Sequence, residues 1–175
     1  HGTQLNDIVL NQLPPIDFSV LIFAFEYSTL ILVLLYIIPY PERFIKGVQA
    51  FFLITFARTL SIYFFSLEPP QGMIHLNDPF AYTFLHSKDI FVTKDLFFSG
   101  HIATLALLAL LPTNRYVKMW TYFAIVVVSF LLLCQLVHYT LDILFAPVVS
   151  FVFYKRVIFA HQQSRYGLEL QQQEA

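Results

Sequence analysis

The sequence predicts an all-α fold: a polytopic transmembrane bundle of five helices in a single domain, residues 1–175. Of the 175 residues, 58% are hydrophobic and only 12% are charged, whereas soluble domains carry about 25% charged residues. The mean hydropathy is +0.67. The apolar residues run in blocks of about twenty, the helix length that crosses a hydrocarbon layer about 30 Å thick. These observations exclude a soluble globular enzyme, a disordered chain and a secreted disulfide scaffold.

The first two spans are bounded by prolines. The first is predicted over residues 17–38 and ends at Pro39, because proline cannot donate the backbone hydrogen bond that continues a helix. The second is predicted over residues 44–67 and ends near Pro69. Polar, irregular sequence follows over residues 71–95, and a loop of that length in a compact domain usually has a function.

Three further spans follow the long loop. They are predicted over residues 99–111, 117–137 and 139–158, and the first of them is short. Residues 162–175 are rich in glutamine and are expected to form a frayed, polar cytoplasmic tail. The single cysteine, Cys134, excludes an intrachain disulfide, and the net charge of −1 gives no indication of a nucleic acid partner.

Basic residues predict the orientation, because they concentrate on the cytoplasmic side of membrane proteins. If the helices alternate, the two sides carry unequal sets: Arg43, Lys46, Arg115, Lys118, Lys155, Arg156 and Arg165 on one, and Lys88 and Lys94 on the other. The 71–95 loop and the junction of the fourth and fifth spans are therefore expected on the non-cytoplasmic face.

Ionisable residues inside membrane spans are costly and are functional candidates by default. Glu26, Arg58, His101, His138 and Asp142 are such residues. The predicted topology brings the last three to the same non-cytoplasmic interface, where the third helix begins and the fourth and fifth helices join.

His138 and Asp142 are four residues apart, a spacing that places both on one face of a continuous helix. A carboxylate bonded to one imidazole nitrogen fixes the tautomer and leaves the other nitrogen as a base, nucleophile or ligand. A plain interfacial polar pair is the alternative. The run Ser99-Gly100-His101 adds a helix N-terminus that can hold an anion and a histidine that can donate a proton. Together these groups form a set suited to phosphoryl transfer.

Three segments resemble signature blocks of sphingomyelin synthases. They are KDLFFSGHIATL (94–105), HYTLDI (138–143) and the upstream block from RTLSIY to LEPPQGMIH (58–75), in which an arginine-bearing helix ends in a proline-rich turn. The blocks occur in the family's order. The wider group is the type 2 phosphatidic acid phosphatase (PAP2) superfamily, which the resemblance associates with six helices and an external active site. One N-terminal helix is therefore expected to be missing from the five counted here.

The resemblance implies roles for individual residues. His138 would be the nucleophile that forms a phosphohistidine, Asp142 its orienting carboxylate, and His101 the acid that protonates the departing lipid alcohol. The substrate-binding candidates are Ser99, Gly100, Lys94 and Arg58. Two positions depart from the family pattern: Leu132 replaces an arginine of lipid phosphatases, and Leu136 replaces a histidine of sphingomyelin synthases.

For two of the substrate-binding candidates, a role without substrate contact is the alternative. Arg58 either anchors phosphate or forms a structural ion pair with Glu26, and Lys94 either contacts phosphate or is solvated. No HExxH or DxD spacing occurs, and the proposed chemistry needs no ion, so neither a metal nor a cofactor is expected.

The leading functional hypothesis is an integral membrane phosphotransferase that moves a phosphate-bearing headgroup between lipids. Its partners would be a membrane phospholipid and a lipid alcohol as acceptor. The alternatives are a lipid phosphate phosphatase, which uses water as the acceptor, and an inactive lipid-binding relative or small transporter.

Overall fold

The computed structural model describes residues 6–64, 68–78 and 97–173. The α-helices of these ranges are α1 (Ser19–Ile37), α2 (Pro41–Phe64), α3 (Gly100–Leu110), α4 (Arg115–Cys134) and α5 (Thr140–Gln173), and a short 3₁₀ turn (Leu10–Gln12) precedes α1. The described residues contain no strand. The predicted all-α class is therefore confirmed.

Four of these helices are long and apolar enough to cross a membrane, which agrees with a helical membrane bundle. The exception is α3, whose 11 residues extend only about 16 Å at 1.5 Å per residue. This is about half of the hydrocarbon thickness. A helix of this length cannot cross the hydrocarbon layer on its own.

Most helix ends differ from the sequence predictions by one to three residues, and the end of α5 differs by fifteen. Helix α2 begins at Pro41, because proline is favoured at a first helical position, where no backbone donor is needed. Helix α5 continues to Gln173 instead of ending at residue 158, so the expectation of a frayed tail is wrong for this segment. Its glutamine, glutamate and leucine residues are strong helix formers, and a long span has already nucleated the helix.

The core is organised around α3, most of whose side chains are buried. It packs most extensively against α5 and α4 and also contacts α1 and α2, whereas α1 and α2 contact each other little. The buried Ser150 hydroxyl of α5 contacts the Ala103 carbonyl of α3 at 2.8 Å. This central position gives α3 contact with all four longer helices.

The connection between α4 and α5 is a tight turn. Asn114 caps the start of α4 through its side-chain oxygen, and α4 ends at Cys134. Leu136 then adopts a left-handed backbone conformation with φ 55°, which L side chains seldom adopt. The chain reverses there, so that His138 lies in the turn and Asp142 in the first turn of α5.

Candidate active site

The two predicted histidines come together within the bundle. His101 lies in the first turn of α3 and His138 in the turn before α5, and their ring centroids are 6.3 Å apart with an interplanar angle of 69°. This separation is well inside the limit of about 10 Å that a shared site allows if reacting atoms are to approach to about 3–3.5 Å. The two imidazoles are therefore direct neighbours.

Asp142 lies beside His138 but is not hydrogen bonded to it, contrary to the sequence expectation. Its Oδ2 atom is 3.7 Å from His138 Nδ1 and accepts a hydrogen bond from the Tyr139 amide at 2.9 Å. An acidic side chain in the first turn that bonds back to the preceding amide is a capping arrangement. The capping bond competes with the imidazole for this oxygen.

The His138–Asp142 pair is enclosed and incompletely satisfied. The side chains are 3% and 0% exposed, and His138 Nδ1 and Asp142 Oδ1 have no hydrogen-bond partner among the described residues. Buried polar atoms without partners cost free energy. Hydrogen bonds of catalytic groups are often long before substrate binds and shorten in the complex.

Burial also determines the charge of His138. It lowers the pKa of the imidazole below its ordinary value of 6.5, and the neighbouring Asp142 opposes this effect only in part. The ring is therefore neutral at neutral pH. A neutral imidazole is the form that can act as a nucleophile.

His101 has a different carboxylate partner, Glu26 of α1. Its Nδ1 atom is 2.9 Å from both Glu26 oxygens, and the edge of the Phe23 ring packs against it with centroids 5.8 Å apart. The alternative of a Glu26–Arg58 ion pair is therefore wrong. Glu26 is one turn of α1 beyond Phe23, so both contacts orient the imidazole from the same helix.

Arg58 instead lies against Gly100, the first residue of α3. A Cβ atom at Gly100 would be 1.4 Å from Arg58 Nη1 and 2.5 Å from its Cζ. Only glycine permits this approach. The guanidinium is thus placed at the N-terminus of α3, where the unpaired amides and the helix dipole already favour an anion.

Ser99 is the N-cap of α3, and its side chain accepts from the Ile102 amide at 3.5 Å. It is wholly buried, and its amide donates to the Asp142 carbonyl at 3.2 Å, joining α3 to α5. Ser99 therefore shapes this helix end, and its contact with substrate stays a prediction. Lys94 and most of the 71–95 loop lie outside the described residues.

Sequence reasoning missed Gln135, a wholly buried residue three positions before His138. Its side-chain oxygen accepts from the Phe18 amide at 3.1 Å, and its Nε2 donates to Ser19 Oγ at 2.9 Å and to the carbonyls of Ile74 and His75 at 3.4 and 3.3 Å. The one sequence feature that pointed to this residue was the occurrence of a glutamine within an otherwise apolar stretch. Gln135 ties the turn that carries His138 to α1 and to residues 68–78.

Asp7 was also missed, because it lies outside every predicted span. Its carboxylate accepts from the Thr140 amide at 2.7 Å and contacts the Thr140 hydroxyl at 3.1 Å. Partial burial alone would raise the pKa of Asp7, but these hydrogen bonds lower it. Asp7 thus satisfies an unpaired donor at the start of α5, two residues before Asp142.

One of three comparisons with known proteins gave a match. Residues 94–160 match the family model described as PAP2 superfamily C-terminal. Over this segment, which is less than half of the chain, the protein is similar to the C-terminal part of the PAP2 superfamily. The matched segment includes His101, His138 and Asp142 and leaves out Glu26 and Arg58. Neither the curated proteins nor the solved structures include a match to this chain. Within the described residues, no group of three or more His, Cys, Asp and Glu side chains could hold a metal ion.

Proposed function

We propose that this protein is a membrane-embedded phosphotransferase that moves a phosphate-bearing headgroup from one lipid to another through a phosphohistidine on His138. One observation carries the proposal: two imidazoles with ring centroids 6.3 Å apart, each beside its own carboxylate. One imidazole is then available for attack and the other for proton transfer, which are the two tasks of a double-displacement reaction.

In the first step, His138 Nε2, the nitrogen on the ring edge away from Asp142, attacks phosphorus. A P–N bond forms and the P–O bond to the lipid alcohol breaks. Protonated His101 gives its proton to the departing oxygen. In the second step, His101 takes a proton from the acceptor hydroxyl, whose oxygen attacks phosphorus. The P–N bond breaks and His138 is regenerated.

Charge at the start of α3 supports both steps. The α3 amides and the Arg58 guanidinium would face the equatorial phosphate oxygens, where electrostatic stabilisation of a phosphoryl transition state is most effective. Arg58 would supply the positive charge that Leu132, which stands in place of the expected arginine, does not. Glu26 orients His101, and Asp142 stabilises the imidazole of His138 as it becomes positively charged.

The enclosure of His138 and Asp142 favours a lipid alcohol as the acceptor, because a phosphohistidine that water cannot reach is protected from hydrolysis. This agrees with the sphingomyelin synthase-like branch. Phosphatase activity is the second candidate, since the side chains of His101 and Glu26 retain 24% and 16% exposure, and water could approach from that side.

Product analysis tests the proposal. The purified protein is incubated in vesicles of mixed phospholipids with and without ceramide or diacylglycerol, and His138→Asn is the control. We expect a new phospholipid that depends on the added alcohol. Free phosphate or a released phosphorylated headgroup would favour the phosphatase. Absence of all products would favour the inactive lipid-binding relative or transporter.

We further propose that the site faces the non-cytoplasmic side, on the asymmetry of basic residues. Asn77→Cys and Asn114→Cys, both exposed positions, can be labelled in intact cells with an impermeant thiol reagent. The native Cys134 is buried and gives little background. We expect labelling at residue 77, and preferential labelling at residue 114 would reverse the orientation.

A further inference from the structure

An apolar cleft of about 290 Å³ lies between α1, α2 and α3. It extends along α3 from Thr104 to Leu111, and Thr104 is the one polar residue of its lining. The cleft exists because α1 and α2 contact each other little and because Gly47 has no side chain. A Cβ atom at Gly47 would be 3.0 Å from Leu111 Cδ1, so a side chain at position 47 would narrow the cleft at the end far from His101.

The cleft is in register with the candidate active site on all three helices. Leu30 follows Glu26 by four residues on α1, and Thr104 follows His101 by three residues on α3. On α2, the lining residue Phe51 precedes Arg58 by seven residues. Residues three, four or seven apart share one face of a helix. The same three helix faces therefore carry the site and, next to it, the cleft.

We propose that this cleft holds one hydrocarbon chain of the lipid alcohol whose oxygen His101 protonates and deprotonates. This inference rests on the proposed function and specifies its substrate: a lipid with at least one long chain, bound with that chain along α3. The cleft begins about 5 Å from His101 along the helix axis and ends about 15 Å from it. A lipid oxygen at His101 thus has its chain directed into apolar space.

The volume and lining agree with a single chain. About 290 Å³ is at the lower limit of ligand pockets, which measure about 300–1,000 Å³, so the cleft is too small for a whole two-chain lipid. Lipid tails are as apolar as leucine, so entry from the bilayer gains little hydrophobic free energy. The cleft instead contributes by orienting the substrate. A hydrocarbon chain bound in the cleft fixes the position of the reacting oxygen.

Variants that shorten or lengthen the cleft test this inference. Gly47→Phe places a ring against Leu111 and obstructs the cleft, whereas Leu111→Ala opens its far end. The matched control is Ile45→Phe, which adds the same ring to α2 at a side chain that is 48% exposed and outside the cleft lining. Gly47→Ala is the milder variant should the larger ring prevent folding.

Each variant is assayed with long-chain and short-chain lipid alcohols and with an aryl phosphate that carries no chain. We expect Gly47→Phe to lower kcat/KM for the long-chain lipid by about tenfold or more, and to leave the short-chain and aryl substrates within about twofold. We expect Leu111→Ala to shift the preferred chain length upwards. Ile45→Phe should change neither. Equal losses on all substrates, or no loss with the long-chain lipid, would overturn the inference.

A binding readout keeps this test separate from that of the proposed function. A long-chain lipid alcohol with a photoreactive group in its tail should label α3 between Thr104 and Leu111 in the wild-type protein, and less in Gly47→Phe. Turnover without this labelling rejects the cleft and retains the proposed function. Labelling without turnover or phosphoenzyme rejects the proposed function and retains the cleft as a lipid site.

Discussion

The two histidines of the candidate site are held in contrasting ways. His101 begins a helix and contacts a carboxylate on another helix at 2.9 Å, with both side chains partly exposed. His138 lies in a turn, 3.7 Å from a carboxylate four residues along the chain, with both side chains enclosed. The partly exposed pair of His101 and Glu26 suits a general acid that contacts substrate and exchanges protons. The enclosed pair, with a neutral imidazole, suits a nucleophile protected from water.

Loss of the enclosed histidine should have the largest effect. His138→Asn should abolish turnover and phosphoenzyme formation, a decrease on the order of 10⁴ or more, because the proposed covalent intermediate forms on this imidazole. Acid-labile phosphoenzyme and lipid product are measured on protein whose helix content matches the wild type. A phosphohistidine trapped in this variant would assign the nucleophile elsewhere.

The effect of replacing the partly exposed histidine, His101, should depend on the substrate. His101→Asn should slow transfer from a lipid by about 10²–10⁴, the usual contribution of general acid–base catalysis. An aryl phosphate with a good leaving group needs little protonation and should still phosphorylate the enzyme. Rapid-quench measurement of the phosphoenzyme burst with both substrates tests this. Equal losses with the two substrates would remove the distinction between the histidines.

The two carboxylates provide a matched pair of conservative variants. Asp142→Asn should lower the rate by about 10²–10⁴, as when the carboxylate of a catalytic histidine is disabled. Glu26→Gln should lower the rate less, by about 10- to 100-fold, which is the effect of removing an outer hydrogen-bond partner of a functional histidine. Steady-state rates with one lipid substrate give the comparison. Full activity of Asp142→Asn would contradict its role.

Gln135 sharpens the comparison because it lies three residues before His138 and contacts the start of α1, away from Glu26. Gln135→Met keeps the side-chain length but leaves the partly buried Phe18 amide without this partner, which should cost about 1 kcal/mol of stability. We expect kcat to fall by about tenfold through displacement of His138, with KM little changed. Thermal unfolding and steady-state kinetics are measured together. A fall in stability with kcat unaltered would make Gln135 purely structural.

The pH dependence should show the smallest effect. Burial lowers the pKa of His138 below 6.5, so the nucleophile stays neutral below that pH. Activity should therefore fall only as the pH passes through the lowered pKa, and the acidic limb of kcat/KM should have its midpoint below 6.5. Because the unfolded chain binds this proton more readily, the stability contribution of the neutral ring also falls as pH falls. An acidic midpoint above 6.5 would contradict this assignment.

Much of the architecture was accessible from local sequence. Apolar blocks and prolines predicted the all-α membrane bundle, because a backbone in lipid must satisfy its own hydrogen bonds as helix. The Ser99-Gly100-His101 run predicted a helix N-terminus, since serine caps and glycine permits close approach. The HYTLD spacing similarly predicted the His138–Asp142 pair, whose members are neighbours in any compact turn or helix.

Tertiary structure alone decided which distant residues meet. Glu26 and Arg58 are both ionisable residues in membrane spans, and their separation in sequence left an ion pair between them plausible. Separate packing of α1 and α2 against α3 directs Glu26 to His101 and Arg58 to Gly100. The 3.7 Å gap at Asp142 was equally inaccessible, because the backbone of the turn competes for the same oxygen. Periodicity determines which face a residue occupies, but the relative placement of helices determines what that face contacts.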